Sequence, residues 1–350
     1  MESRRSDMKA LVYYGPHDLR YEEVPTPRPG PGEVLVRVKA VSICGSDLAG
    51  YKAVSAMRKP PLIMGHEFSG QVAEIGAGVQ GIKPGDRVGV VTNLYCGTCK
   101  NCREGLSNVC DFRYIIGTTM KAGSYNGAMA EYVVAPAQKL MLLPDSVSYE
   151  ECALVEPLSI SLRAVKHAGK LEGKTAAVFG VGPIGLMGVM CLKIFGASKI
   201  IAIDVVRNRL QMAMECGATD IIDSNDDVEG IIRAMTDDTG VDVVFDAAGV
   251  PQTVNRAIEI ARNGGTILMV GMASPAFEIE YKHAVTKELR LQASYMYTTE
   301  MQEGLKLIID GKLDVKKMIT GRYPMSEGPR IFEELASGKT QDVKVILTND

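Results

Sequence analysis

The chain has 350 residues, of which 46% are hydrophobic and 23% are charged, with a formal net charge of −3. This is the composition of a globular protein that buries its own core, and the length favours two domains over one large one. The balanced charge gives no reason to expect nucleic acid or an anionic membrane surface as a partner, and no apolar run reaches the roughly 20 residues that span a bilayer.

The N-terminal residues and the cysteines indicate where the protein is located. The segment 1–8 is short and charged, and no apolar segment follows it. We therefore expect a frayed chain end rather than a signal peptide, and a cytoplasmic protein. Four of the eight cysteines fall within fifteen residues. In an intracellular chain this clustering favours metal binding over disulfides.

Residues 9–91 are rich in turns and short strands. Apolar and charged residues alternate over 34–38, as in a half-exposed strand, and further strands are predicted at 70–78 and 88–91. Residues 127–136 are typical of another strand. Many short strands with Gly/Pro turns predict a small barrel-like β domain.

Two short motifs in this region carry side chains that a catalytic zinc accepts. Cys44 begins a Cys-Gly-Ser-Asp sequence, and His66 and Glu67 follow a glycine twenty-two residues later. A thiolate, an imidazole and a carboxylate are catalytic zinc ligands, and such a site keeps one position open for water or substrate. The alternative is a buried cysteine and a hydrogen-bonded histidine near a turn, and from these residues alone the two interpretations stand about equal.

A second group of cysteines follows with the spacing C-x2-C-x2-C-x7-C. Four thiolates this close can enclose a tetrahedral ion completely, which makes a structural zinc site with no open position. A bacterial iron–sulfur cluster is the alternative. In its motif the fourth cysteine comes after three residues and is followed directly by a proline. Here the fourth cysteine comes after seven residues and is followed by Asp111. The sequence therefore favours zinc, held by Cys96, Cys99, Cys102 and Cys110.

Glu156 precedes Pro157 at the opening of an apolar helix. Two interpretations apply to this carboxylate: it faces a cleft, or it complements the dipole at the N-terminus of the helix. From the residues alone we favour the second.

The pattern changes from residue 175 to an alternation of strands and helices. A short apolar run, 175–179, leads into a G-x-G-x-x-G motif, and a helix over 186–195 and a strand over 199–204 follow. This is the fingerprint of a dinucleotide-binding turn, in which the glycines let a pyrophosphate approach the N-terminus of the helix. The turn residues are Gly180, Gly182, Pro183, Ile184 and Gly185.

Asp204 ends the second strand, 19 residues after Gly185. We expect its carboxylate to accept hydrogen bonds from the adenosine ribose, and because a carboxylate repels a 2′-phosphate, we predict NAD rather than NADP. Arg209, further along the next helix, has two equally weighted interpretations: it lies along the same ribose, or it is an exposed helix residue.

The alternation continues with strands at 241–246, 265–271 and 289–293 and a helix at 251–261. We predict an α/β fold in which six strands with intervening helices form a doubly wound parallel sheet. Two more helices, at 300–310 and 328–337, precede a final strand at 343–347.

The order of these features resembles the zinc-containing medium-chain dehydrogenase/reductase family, the alcohol dehydrogenase superfamily, over essentially the whole chain from about Met8. Within it the chain resembles the polyol and sorbitol dehydrogenases, and most closely galactitol-1-phosphate dehydrogenase. The closer match is carried by C-G-S-D-L at 44–48, G-H-E-F-S-G at 65–70, A-G-V-P-Q-T-V at 248–254 and K-E-L at 287–289.

The resemblance implies a domain arrangement. A GroES-like, β-rich catalytic domain would comprise 1–155 and 294–350 and include the structural zinc lobe at 93–112. An inserted Rossmann NAD-binding domain would comprise 156–293. The active site would lie between the two, and the family's usual assembly implies a homodimer or homotetramer.

The resemblance also implies two zinc ions per chain, one structural and one catalytic. Cys44 and His66 would bind the catalytic ion. Glu67 would be a third ligand or a neighbour that exchanges with water. Glu156 stands where polyol and threonine dehydrogenases place an acid close to the zinc, against the helix-dipole interpretation above.

Two positions beside these ligands have implied roles in proton transfer. Asp47 would hold the ring of His66, and Ser46 would hydrogen-bond the substrate oxygen and begin the proton's path to solvent. Many relatives continue that path through a histidine five residues after the zinc cysteine, whereas this chain has Ala49.

On the nicotinamide side the resemblance implicates Val270, Gly271, Met272, Tyr295 and Met296. Sorbitol dehydrogenases carry an arginine that helps to hold the polyol at the position of Met296. A methionine there agrees better with the phosphate-sugar relatives and argues against plain sorbitol.

The function implied is oxidation of a secondary alcohol of a polyol or polyol phosphate to a ketone, with hydride transfer to NAD, and galactitol 1-phosphate is the first candidate. The alternatives are sorbitol or another polyol, L-threonine, an aminocyclitol, or a catalytically silent NAD-binding relative. Quinone reductase relatives usually lack both zinc sites, which this chain has the residues to form.

The remaining conspicuous residues have ordinary interpretations. We expect Arg58 and Lys59 to be solvated loop charges rather than contacts to a substrate phosphate. We expect no direct role for the other three histidines, with His17 in a turn, His167 at the end of a helix and His283 in a loop. We expect core positions for the other three cysteines, Cys152, Cys191 and Cys216.

Overall fold

The computed structural model describes residues 7–272 and 276–349. The expectation of a frayed N-terminus falls largely on residues 1–6, which lie outside the described residues. None of the helices described is long and apolar enough to cross a membrane.

The described residues form twenty strands and eleven α-helices. The strands are β1 (Met8–Gly15), β2 (Asp18–Val24), β3 (Glu33–Ser42), β4 (Leu62–Ile63), β5 (Glu67–Ile75), β6 (Arg87–Val90), β7 (Asn93–Leu94), β8 (Tyr114–Ile115), β9 (Thr118–Met120), β10 (Gly123–Tyr125), β11 (Tyr132–Pro136), β12 (Leu140–Leu142), β13 (Thr175–Phe179), β14 (Lys199–Asp204), β15 (Asp220–Asp223), β16 (Val241–Asp246), β17 (Ala261–Met269), β18 (Arg290–Ala293), β19 (Ile319–Pro324) and β20 (Lys344–Thr348). The helices are α1 (Gly45–Tyr51), α2 (Lys100–Arg103), α3 (Tyr149–Ala153), α4 (Val155–Lys166), α5 (Pro183–Ile194), α6 (Arg207–Cys216), α7 (Val228–Met235), α8 (Pro251–Ile260), α9 (Tyr281–Thr286), α10 (Glu300–Ile309) and α11 (Gly328–Ala336).

The chain divides by its contacts into two units, one of residues 1–156 with 318–350 and one of residues 157–317. The first boundary lies next to the predicted one. The second lies after α10 rather than before it, and an ion pair between Glu303 and Lys166, 2.5 Å apart, joins α10 to α4. The predicted limits of the catalytic and cofactor domains stay a prediction.

The first unit is built on a seven-stranded sheet in the order β12-β6-β5-β3-β20-β19, with β11 also paired to β3. A separate three-stranded sheet in the same unit has the order β2-β1-β4. Strands predicted at 34–38, 70–78 and 88–91 correspond to β3, β5 and β6. Alternate apolar side chains of these strands form one buried core, which includes Val36, Val38, Phe68, Met129, Phe332 and Leu347.

The register of this sheet brings distant residues together. Ser42, at the end of β3, pairs with Glu67 on β5 and with Ile346 on β20. Cys44 follows Ser42 by two residues, and Lys344 precedes Ile346 by two. The sheet therefore places Cys44, Glu67 and Lys344 near one another, although they span almost the whole chain.

The second unit contains the predicted doubly wound sheet. Its six strands are parallel in the order β15-β14-β13-β16-β17-β18, which confirms the α/β fold. The edge strand β15 was not among the segments predicted, because its sequence, Asp-Ile-Ile-Asp, has no apolar run. The core on this sheet includes Ala177, Phe179, Ile201, Ile203, Val244 and Ile267.

Two smaller expectations differ from the structure. The strand predicted at 127–136 is regular only over β11, because the preceding residues form irregular backbone bonds, among them Ala128 N to Gly65 O at 2.9 Å. His283 lies on α9 rather than in a loop.

Candidate active site and cofactor-binding residues

Cys44, His66 and Glu67 form a compact group in the first unit. Each offers one ligand atom, and these atoms all lie within 4.8 Å of one another. His66 is 8% exposed and Glu67 is 1% exposed. The structure therefore brings together the thiol, imidazole and carboxylate that the two motifs predicted.

Cys44 is held at the N-cap of α1. Its sulfur accepts hydrogen bonds from Ser46 N at 3.4 Å and Ser46 Oγ at 3.3 Å. Burial raises the pKa of the Cys44 thiol to about 12, with a further contribution from the charge of Glu67. The thiolate therefore needs a cation beside it, as a metal ligand has.

Two buried polar atoms near this group have no hydrogen-bond partner within the described residues, His66 Nδ1 and Glu156 Oε2. Glu156 is 4% exposed in the first turn of α4, and burial raises its pKa to about 8, with partial opposition from His66. Its oxygens are outside the group of atoms that lie within 4.8 Å. Glu156 therefore lies both at the N-terminus of a helix and close to the candidate zinc ligands, as its two interpretations required.

Glu67 has a buried cation as its partner. Lys344 Nζ forms an ion pair with the Glu67 carboxylate and also donates to Ile43 O at 3.4 Å. Lys344 was not among the candidate site residues predicted from the sequence. The available signal was a lysine inside the apolar run that forms β20, a position where a charged side chain is rarely buried without a partner.

Arg58 is 4% exposed, so the prediction that it is a solvated loop charge is wrong. Its guanidinium donates to the carboxylate of Asp47 and to the hydroxyl of Ser46. Lys59 is exposed, as predicted. Asp47 lies near His66, with 3.6 Å between Oδ1 and Nδ1, which is longer than a hydrogen bond.

The four clustered cysteines also come together, with all sulfurs within 4.8 Å of one another. Sulfur–sulfur distances are 3.5 Å for Cys96–Cys110, 3.8 Å for Cys99–Cys110 and 4.0 Å for Cys96–Cys102. Tetrahedral zinc with Zn–S bonds of about 2.3 Å separates its sulfurs by about 3.8 Å. The group therefore fits a closed zinc site.

The other three cysteines, Cys152, Cys191 and Cys216, are buried as predicted. The zinc ligand sets thus account for the remaining five cysteines of the chain. Both sets fit the ion by chemistry and spacing, since thiolates and imidazole are the ligands that zinc prefers.

The glycine-rich turn lies between β13 and α5, as predicted. Gly180 has a φ of 78°, and a Cβ on Gly185 would lie 1.9 Å from Gly180 O, so neither position accepts a side chain. Gly182 is the N-cap of α5, and Pro183 and Ile184 begin the helix. The backbone is thus free to approach a phosphate at the N-terminus of a twelve-residue helix.

Asp204 lies at the end of β14 with both carboxylate oxygens oriented by the backbone. Oδ2 accepts from Val181 N at 2.7 Å and Oδ1 from Val206 N at 2.8 Å. Each oxygen keeps acceptor capacity for a ribose hydroxyl. Arg209 lies by the glycine turn, because its Nη1 is 4.0 Å from where a Cβ on Gly182 would be.

The residues assigned to the nicotinamide side follow the ends of β17 and β18. Val270 N and Gly271 N both donate to Asp246 O at 3.0 Å, and the side chain of Met272 is exposed. Met296 is buried with a φ of 52°, a backbone conformation that non-glycine residues rarely adopt. Tyr295 precedes it and is half-buried.

Asp246 was not singled out from the sequence. It ends β16, beside the strand that leads into the glycine turn, and is 1% exposed. Its Oδ2 accepts from Gly249 N at 3.1 Å, and burial raises its pKa. The signal that marks it is its position as the acidic last residue of an apolar strand at the carboxyl edge of the sheet.

Comparison with known proteins supports the same assignment over most of the chain. Residues 30–145 match the alcohol dehydrogenase GroES-like domain, and residues 183–310 match the zinc-binding dehydrogenase domain. Sorbitol dehydrogenase of Bacillus subtilis is 34% identical over 346 residues, which is 97% of each chain.

Solved structures agree with this result. An Escherichia coli oxidoreductase/dehydrogenase of unknown specificity superposes with a TM-score of 0.93 at 31% identity and covers 98% of this chain and 99% of its own. Galactitol-1-phosphate dehydrogenase of Escherichia coli has a TM-score of 0.90 at 28% identity, with 97% and 100% covered. The chain belongs to the zinc-binding medium-chain dehydrogenases of the alcohol dehydrogenase family, among the polyol dehydrogenases.

Proposed function

We propose that the enzyme oxidises a secondary alcohol of a polyol phosphate to a ketone, with galactitol 1-phosphate as the first candidate. The dehydrogenase chemistry is supported above all by the group of Cys44, His66 and Glu67, whose ligand atoms lie within 4.8 Å of one another. The phosphorylated substrate is supported by Met296, which stands where an arginine helps sorbitol dehydrogenases to hold a free polyol.

Cys44 and His66 would hold the catalytic zinc, with Glu67 and Glu156 as exchangeable or neighbouring carboxylates. When bound, zinc supplies a Lewis acid that lowers the pKa of a hydroxyl, and NAD supplies the hydride acceptor. Ser46 Oγ, 3.3 Å from the Cys44 sulfur, would take the substrate's proton. Because residue 49 is alanine, the proton would then leave through water or a cofactor hydroxyl.

NAD is the proposed coenzyme because the Asp204 carboxylate is fixed by two backbone N–H groups at the end of β14. A fixed negative charge there accepts ribose hydroxyls and repels a 2′-phosphate. Zinc-loaded enzyme and NAD are therefore the components of the assay.

A panel of alcohols tests the substrate. Formation of NADH is followed with galactitol 1-phosphate, other sugar-alcohol phosphates, sorbitol, xylitol and L-threonine, beside a zinc determination. We expect selective turnover of a phosphorylated polyol with about two zinc ions per chain. The Cys44→Ser variant serves as the negative control and is expected to lose one zinc ion and turnover.

A free polyol is the second candidate, favoured by the 34% identity to a sorbitol dehydrogenase. Turnover of sorbitol or xylitol at least as fast as any phosphate ester would keep the reaction class and replace the proposed substrate. Turnover of L-threonine alone would contradict both candidates.

A further inference from the structure

Arg58 lies between α1 and β4, and only 1% of its side chain is exposed. We propose that Arg58 is a positioning residue of the active site, whose guanidinium fixes the Ser46 hydroxyl beside Cys44 and the Asp47 carboxylate beside His66. The inference rests on the proposed roles of Cys44 and His66 as zinc ligands.

The guanidinium makes four hydrogen bonds to three residues. Nε and Nη2 donate to Asp47 Oδ1 at 3.0 Å and 2.6 Å, and Nη2 also donates to Ser46 Oγ at 3.0 Å. Nη1 donates to Met57 O at 3.0 Å. A Cβ on Gly50 would lie 2.3 Å from Arg58 Cγ, so α1 has a glycine where the stem of Arg58 crosses it.

The contact with Ser46 determines the direction of its hydroxyl. Ser46 Oγ accepts from Arg58 and donates to Cys44 Sγ. These two bonds fix the oxygen next to the proposed zinc ligand and leave one acceptor site for a substrate hydroxyl. Arginine stays protonated in proteins, so Arg58 orients Ser46 and takes no proton from it.

The contact with Asp47 determines the position of a second group. Asp47 Oδ2 accepts from Cys44 N at 3.2 Å, while Oδ1 is held by Arg58 and lies 3.6 Å from His66 Nδ1. Asp47 is fully buried, and a buried carboxylate needs a compensating charge. The guanidinium of Arg58 therefore holds both Ser46, beside Cys44, and Asp47, beside His66.

The buried position also excludes another role. A side chain that is 1% exposed and already donates to three residues has no free face for a substrate phosphate. Lysine at this position would keep the positive charge but not the planar fork that bridges Ser46 and Asp47. The Arg58→Lys variant therefore separates charge from geometry.

The first experiment is a double-mutant cycle of Arg58→Lys and Ser46→Ala on the zinc-loaded enzyme. We expect Arg58→Lys to keep two zinc ions, lower kcat about 10- to 100-fold and leave KM within about threefold. In the Ser46→Ala background the same change should alter kcat less than about twofold. Arg20→Lys, in an exposed pair with Asp18, is the matched control and should change nothing.

The second experiment needs no turnover. Competition with a zinc chelator measures how tightly the catalytic ion is held in Arg58→Gln, which leaves Asp47 without its cation. We expect about tenfold weaker binding of that ion, with the ion of the four-cysteine lobe unaffected. If the wild-type enzyme turned over no alcohol, the proposed function would be refuted. The chelator competition would still show whether Arg58 positions the groups beside the zinc ligands.

Three results would overturn the proposal. They are a kcat for Arg58→Lys within twofold of wild type, an equal loss of kcat in the Ser46→Ala background, and wild-type zinc retention in Arg58→Gln.

Discussion

Two buried carboxylates next to the candidate zinc ligands are paired with buried cations. Asp47 is paired with Arg58, and Glu67 is paired with Lys344, which lies 277 residues away along the chain. An unpaired charge in such an environment costs several kcal/mol, so each cation is required once its carboxylate is present. The electrostatics of the site is therefore set by residues outside its motifs.

The Lys344–Glu67 pair leads to a prediction about stability. Replacing Lys344 by Met leaves the Glu67 carboxylate buried without its partner, and we expect a loss of about 3–5 kcal/mol in the free energy of unfolding. The double variant Lys344→Met/Glu67→Gln should lose clearly less. Denaturant unfolding of the zinc-loaded proteins measures both, and a double variant as unstable as the single one would contradict the pairing argument.

Asp204 leads to a prediction about the coenzyme. Asp204→Ser removes the negative charge at the adenosine ribose, so the ratio of kcat/KM for NAD to that for NADP should fall by about tenfold or more. Steady-state kinetics with both coenzymes measures the ratio. Asp223→Ser, at the end of the neighbouring strand β15, is the control and should leave the ratio unchanged.

Among the elements, the four-cysteine lobe is the part that we expect to depend most on metal. Its helix α2 has four residues, and none of them is buried. The backbone N–H groups of Thr98 and Cys99 lower the pKa of Cys96 to about 6, so one ligand is readily ionised. We expect a bound zinc ion to stabilise this lobe as a hydrophobic core stabilises the rest of the unit.

Cys102→Ser tests this dependence. We expect zinc to fall from about two ions to one per chain, with a lower Tm, because a serine hydroxyl is a poor zinc ligand. Cys216→Ser is the control, because Cys216 is buried but belongs to no candidate ligand group, and this variant should keep both ions. Two ions per chain in Cys102→Ser would rule out the lobe as a zinc site.

Helix α10 begins with a buried acid, Glu300, which leads to a prediction about pH. Its carboxylate accepts from Thr298 N at 2.7 Å and faces Arg163 at 3.5 Å. Burial raises the pKa of Glu300, but the backbone hydrogen bonds and the nearby charges lower it overall, below 4.5. The stabilisation is thus present above about pH 4.5 and is lost as the pH falls through the lowered pKa.

Glu300→Gln should therefore be less stable than wild type by about 1 kcal/mol at pH 7. The difference should shrink below about pH 4.5, where the wild-type carboxylate also becomes neutral. Unfolding of both proteins at each pH gives the difference. A constant difference across this range would show that Glu300 acts through shape rather than charge.

At the scale of the whole molecule, assembly into a homodimer or homotetramer stays a prediction. Strand β18 ends the order of the six-stranded sheet among the described residues. Large apolar side chains in the segment that precedes this strand in the chain are exposed: Phe277, Ile279, Tyr281 and Val285. Open sheet edges and exposed apolar groups are typical sites of pairing with a second copy.

Charge on that surface should dissociate the assembly. We expect Tyr281→Lys/Val285→Lys to sediment as a monomer of 37.7 kDa where the wild type sediments as a multiple of this mass. Val54→Lys, at an exposed apolar residue elsewhere in the chain, is the control and should keep the wild-type mass. An unchanged mass for the double variant would exclude this surface.

Sequence patterns alone predicted the family, two candidate zinc ligand groups, the dinucleotide turn and the α/β sheet. These features are local: a C-x2-C spacing, a glycine turn after a strand, or an acid at a strand end constrains its own neighbourhood whatever the rest of the chain does. The strand β15 escaped prediction for the same reason, because its four residues have no local pattern and pair only through the sheet.

The charges that lie beside the candidate ligands could be identified only in the folded chain. Arg58 has the sequence context of a solvated loop, and Lys344 that of an ordinary strand residue, yet both are buried against carboxylates next to the candidate zinc ligands. Their positions depend on the register of β3, β5 and β20 and on the path of the chain after α1. Such contacts join residues that are distant in sequence, so burial and charge pairing could assign their roles only once the chain was folded.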